Sequence, residues 1–224
     1  MKITYLGHAA LAIETNGYHI IVDPFITGNE KAKHIDIDQL KADYILVTHA
    51  HQDHILDVEA IAKRTGAIIV SNYEIVNHFE NLGLRGHPMN QGGSWQFDFG
   101  FVKYVNAIHS SSFPDGSYGG LAGGFVIKSD KTIYIAGDTS LSYDMRHIGK
   151  QFHIHLAVLP IGDNFTMGVD DAIQASRYVD SERVLGYHYD TFSFIKIDKA
   201  QAKAKFDSKL RTLKLLNIGE SMDL

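Results

Sequence analysis

At 224 residues, 45% hydrophobic and 21% charged, the chain has the make-up of an ordinary globular protein that can bury a substantial core. A formal charge of -5 at neutral pH gives no overall pull toward nucleic acid or anionic membrane. Cysteine is absent, which excludes disulfides, thiolate metal sites and a cysteine nucleophile.

The elements read in chain order as follows. Ile3 to Leu6, Leu11 to Glu14 and His19 to Val22 predict three short strands, the last two joined by the hairpin pair Asn16-Gly17. Tyr44 to Val47 predicts a buried strand, Val58 to Arg64 a helix stopped at Gly66, and Ala67 to Val70 a further strand. Asn72 to Leu82 predicts a second helix with Gly83 at its end. Trp95 to Phe97 and Phe101 to Ala107 predict an antiparallel pair, and the Ser/Gly-rich stretch Ser110 to Gly124 a mobile loop. A second hairpin follows, Phe125 to Lys128 with Thr132 to Ala136. Leu156 to Leu159 and Val184 to Tyr187 predict buried strands, and Asp171 to Val179 and Lys199 to Leu210 helices. No linker or low-complexity tract divides the chain, so residues 1–224 read as one domain. Strands open each half and helices follow, which favours two mixed sheets with helices outside. No run approaches the roughly 18 apolar residues of a membrane span, and no signal-peptide core follows Met1, so the expected location is the cytoplasm.

The 13 histidines are the one excess in the composition. Four groups crowd a single strand-to-helix turn in His49-Ala50-His51-Gln52-Asp53-His54, directly after the strand Tyr44 to Val47. Open α/β sheets place their ligands at that carboxyl end. Three more donors stand at comparable places: His109 after Val102 to Ile108, Asp138 after Ile133 to Gly137, and His188 after Val184 to Tyr187. A structural histidine belongs mid-strand or on a helix face, whereas strand ends that repeatedly terminate in His or Asp point to one shared edge lined with metal ligands. With no thiolate available, nitrogen and oxygen must do the binding.

In order and spacing these residues resemble the motifs of the metallo-β-lactamase superfamily. Asp23 in Val22-Asp23-Pro24 matches its first aspartate, His49, His51, Asp53 and His54 its second motif, His109 the third, Asp138 the fourth and His188 the fifth. Within it the chain is similar to small bacterial metal-dependent hydrolases of uncharacterised substrate, related to ascorbate-6-phosphate lactonase. That likeness is carried by Tyr5-Leu6-Gly7-His8-Ala9, Asp23-Pro24-Phe25-Ile26-Thr27-Gly28-Asn29, His109-Ser110-Ser111-Ser112 and Pro160-Ile161-Gly162-Asp163-Asn164-Phe165. Two backbone departures are Ala50, where glycine is usual, and Leu185-Gly186, where a proline-containing approach is usual.

The resemblance implies a four-layer αββα sandwich of two mixed sheets. It also implies two divalent metals, one held by His49, His51 and His109, the other by Asp53, His54 and His188, with Asp138 bridging. Zinc is the first expectation, manganese, iron or nickel the alternatives. Such a centre generates hydroxide at neutral pH and polarises a carbonyl or phosphoryl oxygen, with Asp53 and Asp138 as the catalytic carboxylates. The expected function is hydrolysis of an ester, lactone or phosphoester in a small metabolite. A phosphodiesterase or nuclease acting on RNA or a nucleotide is the first rival, disfavoured by the acidic balance. An oxygen- or nitric-oxide-reducing di-iron centre is the second, disfavoured by histidine at position 51 where such relatives carry glutamate. A non-catalytic metal-binding module is the third. Expected partners are a small-molecule substrate and a second copy of the chain, with neither nucleic acid nor membrane. Supporting or substrate-facing roles fall to Asp23, expected to hydrogen-bond the His49 loop, and to His8, Ser110 and Asp163.

Overall fold

A computed structural model describes residues 1–224. Strands β1 (Lys2–Gly7), β2 (Ala10–Thr15) and β3 (Tyr18–Val22) form an antiparallel meander. Asn16 and Gly17 turn β2 into β3 with φ of 49° and 82°, the conformation this pair favours in two-residue hairpins. From β3 the sheet continues in parallel through β4 (Tyr44–Leu46) and β5 (Ile68–Asn72) to an edge strand β6 (Gly86–Met89). The second sheet runs antiparallel through β7 (Ser94–Phe97), β8 (Gly100–Asn106), β9 (Gly123–Lys128) and β10 (Thr132–Ile135). It then runs parallel through β11 (Leu156–Pro160), β12 (Arg183–Tyr187) and β13 (Thr212–Lys214). β14 (Ser221–Asp223) returns to pair with β1, so each sheet has seven strands.

The central strands are apolar on both faces because both faces are covered. Tyr44 and Leu46 of β4, Ile133 and Ile135 of β10, and Leu156 and Val158 of β11 meet in the core between the sheets. The alternating residues face outward. Ile45 and Val47 pack under α2 (Val58–Thr65) and α3 (Tyr73–Asn81), through Ile61, Ile75 and Phe79. Tyr134, Ala157 and Leu159 pack under α4 (Met145–Gln151), α5 (Val169–Tyr178) and α6 (Lys199–Asp207), through Met145, Ile173 and Phe206. The result is the expected αββα sandwich. No helix is long and apolar enough to cross a membrane.

Several short elements were not expected. β6 contains Gly86 and Pro88, which break any strand signal, and an edge is where a strand proline is tolerated. β13 and β14 have three residues each, too few for a period to show. α4 carries Gly149 mid-helix, a helix-weakening residue, but a Cβ there would lie 2.5 Å from the Tyr178 carbonyl oxygen, so glycine lets α4 approach α5. The stretch Ser110 to Gly124 also differs from the expected free loop. Phe113 is buried with its ring stacked on His78 at 4.1 Å, Asn72 Nδ2 donates to the carbonyls of Gly119 and Leu121, and Ser112 bridges Tyr118.

Gly137 sets the approach to Asp138. Its φ is +67°, and a Cβ would stand 2.4 Å from the Gly123 carbonyl oxygen, a backbone atom that cannot swing aside. Gly137→Ala is therefore expected to destabilise the fold by about 3 kcal/mol, measured by urea unfolding. A cost below about 1 kcal/mol would show that this crossing is not held as tightly as the contact requires.

Candidate metal centre

β1, β3 and β4 run in one direction in the first sheet, as β8, β10 and β12 do in the second. The segments leaving their carboxyl ends converge on one rim of the sandwich. β4 delivers His49, then His51 as the N-cap of the single turn α1 (Gln52–Ile55), which carries Asp53 and His54. His109 follows β8, Asp138 follows β10 and His188 follows β12.

Ligand-capable atoms of His49, His51 and His109 lie within 4.8 Å of one another, as do those of His8, Asp53, His54 and His188, and those of His49, His54 and Asp138. Asp138 Oδ2 sits at the junction, 2.9 Å from His188 Nε2, 3.4 Å from His54 Nε2 and 3.6 Å from His109 Nε2. The two trios and the shared aspartate named from the sequence thus come together, with His8 as an addition to the second group.

The polar groups behind the rim orient these rings. Buried Asp23 accepts from the Thr48 amide at 2.8 Å and from the Thr48 hydroxyl at 2.7 Å, and it also accepts from His54 Nδ1 at 2.9 Å. Because Thr48 Oγ1 donates its proton to Asp23, it must accept from His49 Nδ1, 3.0 Å away. Both imidazoles then carry a proton on the outer nitrogen, which leaves the inward Nε2 as the atom a metal would take. Asp23 thereby touches both the start of the His49 loop, through Thr48, and the His54 ring. Asp23 and His188 hold left-handed backbone, φ 43° and 54°, as does His8 at 54°, conformations that cost energy and cluster at working sites.

Charge in the cluster is tightly coupled. Burial, with the neighbouring His54, holds His49 well below the usual imidazole range, and burial lowers His51 and His109 likewise. For His54 burial also opposes protonation, but the carboxylates of Asp138, Asp23 and Asp53 outweigh it and hold the ring well above that range. Burial raises Asp138 and Asp53, yet the facing imidazoles pull both well below the usual carboxylate range. Carboxylates aimed at buried imidazoles call for positive charge between them. His54 Nε2, Asp138 Oδ1 and His188 Nδ1 are buried without a hydrogen-bond partner. Such orphaned donors and acceptors are costly unless an unseen group satisfies them. Imidazole nitrogens and carboxylate oxygens converging in this way fit a divalent metal ion.

The supporting residues fall out differently from one another. His8 is buried, with Nε2 3.0 Å from Asp53 Oδ2 and Nδ1 2.9 Å from Thr191 Oγ1, and its carbonyl accepts from the His188 amide at 2.8 Å. Burial, aided by the neighbouring His188, pushes its pKa down to about 4, so the neutral ring donates from Nε2 to Asp53 and accepts from Thr191. His8 therefore positions Asp53 and is not a surface loop residue. Removing it in His8→Ala should lower turnover by roughly 10- to 100-fold and weaken metal retention, with partial rescue in His8→Gln. Metal content and kcat of the two variants check this, and a wild-type rate in His8→Ala would rule the role out.

Ser110 Oγ lies 3.3 Å from His51 Nε2, at the mouth. Ala50, where glycine was anticipated, is buried and donates its amide to Ser111 Oγ. Its methyl fills the space beside Gly119, where a second Cβ would stand only 2.3 Å away. Asp163 is a correction: it is exposed, its carboxylate accepts from the next amide, Asn164, at 2.8 Å, and it does not line the cavity at the centre. Phe165, two residues on, lines that cavity instead, together with Phe192. Neither phenylalanine nor Thr191 was identified from the sequence, because a Phe in a polar loop carries no chemical signature. Its exposure is the signal, and that appears only in the fold.

Residues 2–188 match the Beta-lactamase superfamily domain. A metal-dependent hydrolase of the UPF0173 group from Christiangramia forsetii is 62% identical to the chain, covering 100% of both, and one from Methylacidiphilum infernorum is 48% identical over the same full coverage. Among solved structures, Igni18, a metallo hydrolase from the hyperthermophilic archaeon Ignicoccus hospitalis, superposes with a TM-score of 0.90 at 35% identity, covering 100% of this chain and 98% of that one. The chain belongs to the β-lactamase superfamily and, within it, to the UPF0173 metal-dependent hydrolases.

Proposed function

We propose that the chain is a binuclear hydrolase that cleaves an ester, lactone or phosphoester bond in a small metabolite, with zinc as the first candidate metal and manganese, iron or nickel as alternatives. The observation that carries this reading is Asp138 set among imidazoles from both groups of donors, with His54 Nε2 and Asp138 Oδ1 buried there without a hydrogen-bond partner. Divalent cations held there supply Lewis acidity and bring the pKa of water toward neutrality. His49, His51 and His109 would hold one, Asp53, His54 and His188 the other, and Asp138 would serve both.

The chain's own groups do the rest. Asp23 and Thr48 fix the rings of His49 and His54 from behind. Asp53 has 28% of its side chain exposed and faces the cavity while His8 occupies its Oδ2, so it is the carboxylate placed to orient water or take up a proton during bond cleavage. Nucleic acid is a poor fit, since no Lys or Arg lines the cavity to hold a phosphate backbone. The test is protein reconstituted with zinc or manganese, assayed on bis-p-nitrophenyl phosphate and a panel of lactones, with His51→Ala and Asp138→Ala alongside. Turnover well above both variants on either class supports hydrolysis, and rates equal to theirs on both classes remove it.

A further inference from the structure

The cavity before the donor cluster has a volume of about 260 Å³, enough for a compact organic group. Beyond the histidines, aspartates and Ser110, its walls are two phenylalanines, Phe165 and Phe192. We propose that these rings form the specificity pocket for an apolar, aromatic or branched, group beside the scissile bond, in a substrate bearing no anionic substituent there. The inference rests on the hydrolytic reading above and names its substrate class.

The two rings come from different loops and are held in different ways. Phe192, after β12, is 37% exposed. It rests edge-on against His8 at 5.2 Å and near Phe25 at 6.3 Å, leaving its other side toward the cavity. Phe165, after β11, is 53% exposed, and its ring stands edge-on to that of Phe194, itself 72% exposed, at 6.3 Å. An isolated exposed ring is unremarkable, but apolar rings gathered at the mouth of a polar cleft mark a binding surface.

The backbone is also committed to this placement. Asp163 and Asn164 adopt φ of 62° and 57° in succession, a turn that non-glycine residues enter only at a cost. The Asp163 amide donates to the Met167 carbonyl at 3.1 Å, and the Met167 amide donates to the Thr139 carbonyl at 3.0 Å. Thr139 is the residue after Asp138, so the strained turn bearing Phe165 is stapled to the chain that carries the shared carboxylate. Met167, fully buried in the core, anchors the turn from below, so the ring of Phe165 is fixed where it lines the cavity.

Charge argues the same way. Away from the metals of the proposed centre, an anionic substituent needs a cationic side chain beside it, and no Lys or Arg lines the cavity. Two lysines do reach the loop after His188, but both are turned to Asp190: Lys31 donates to its carbonyl, and Lys199 Nζ lies 3.3 Å from its Oδ2.

The test compares methyl phenylacetate, methyl acetate and monomethyl succinate on metal-loaded protein by pH-stat, with a binding measurement on the full chain. A small methanol leaving group keeps the acyl arm as the only variable. The expected preference in kcat/KM is roughly 10- to 100-fold for the phenyl arm over methyl, with the succinate ester below methyl phenylacetate by at least as much. In Phe165→Ala and Phe192→Ala the phenyl-to-methyl ratio should fall to within about 3-fold. Phenylacetone, which cannot be hydrolysed, should bind the wild-type chain by saturation-transfer NMR and lose that signal in both variants. Equal rates on all three esters, or a preference untouched by the substitutions, overturns the pocket while leaving hydrolysis standing. Absence of turnover with phenylacetone binding that depends on both rings upholds the pocket and removes carboxylic-ester hydrolysis. Absence of both turnover and binding removes the pocket and carboxylic-ester hydrolysis together.

Discussion

Asp138→Ala is expected to reduce turnover on the order of 10³-fold, since several kcal/mol of charge stabilisation pass through the ligands of such a centre. No other side chain can substitute. Asp138 Oδ2 is the one carboxylate oxygen within 3.6 Å of imidazoles from three separate strand ends, His54, His109 and His188. The variant should also retain fewer metal equivalents than wild type, measured on the same preparation by plasma mass spectrometry. Asp138→Asn preserves the size and shape of the buried side chain but not its charge, so it separates loss of charge from loss of packing. If Asp138→Ala kept wild-type turnover and metal content, the carboxylate would have no part in the centre.

The second large effect is on folding. Asp23→Ala is expected to cost about 3 to 5 kcal/mol in urea unfolding, because it leaves three buried donors, the Thr48 amide, the Thr48 hydroxyl and His54 Nδ1, without their acceptor. Alanine at a φ of 43° adds strain that the native aspartate tolerates better. With Thr48 and His54 unbraced, metal retention should fall by roughly 10- to 100-fold even where the fold survives. A cost under about 1 kcal/mol would show that these bonds are replaceable by water, which their complete burial argues against.

The parts of this molecule that were legible in the sequence are those whose signal is local. Tyr44 to Val47 shows a buried strand because it is covered on both faces, and Asn16-Gly17 shows a hairpin because few other pairs take two successive positive φ angles. The donors His49 to His54, His109, Asp138 and His188 were legible because each stands at a strand end, so a one-dimensional pattern recorded a shared edge. The parts that stayed hidden depend on contacts distant in sequence. His8 is tied to Asp53 across 45 residues and to Thr191 across 183, and nothing near Gly7-His8-Ala9 announces either bond. Ser110 to Gly124 reads as a free loop by composition, yet Asn72 and a buried Phe113 hold it down. Asp163 attracted attention as a carboxylate after a strand, while the cavity is served by the ring two residues beyond it. Polarity led to the donors of the cluster and passed over the two rings that line its cavity.

The most direct test of the central claim is a crystal structure of the metal-loaded protein with anomalous scattering recorded at the edges of zinc, manganese, iron and nickel. The account predicts two peaks, one among His49, His51 and His109 and the other among Asp53, His54 and His188, with Asp138 contacting both. A single peak outside these two groups, or none from protein that is active, would contradict it.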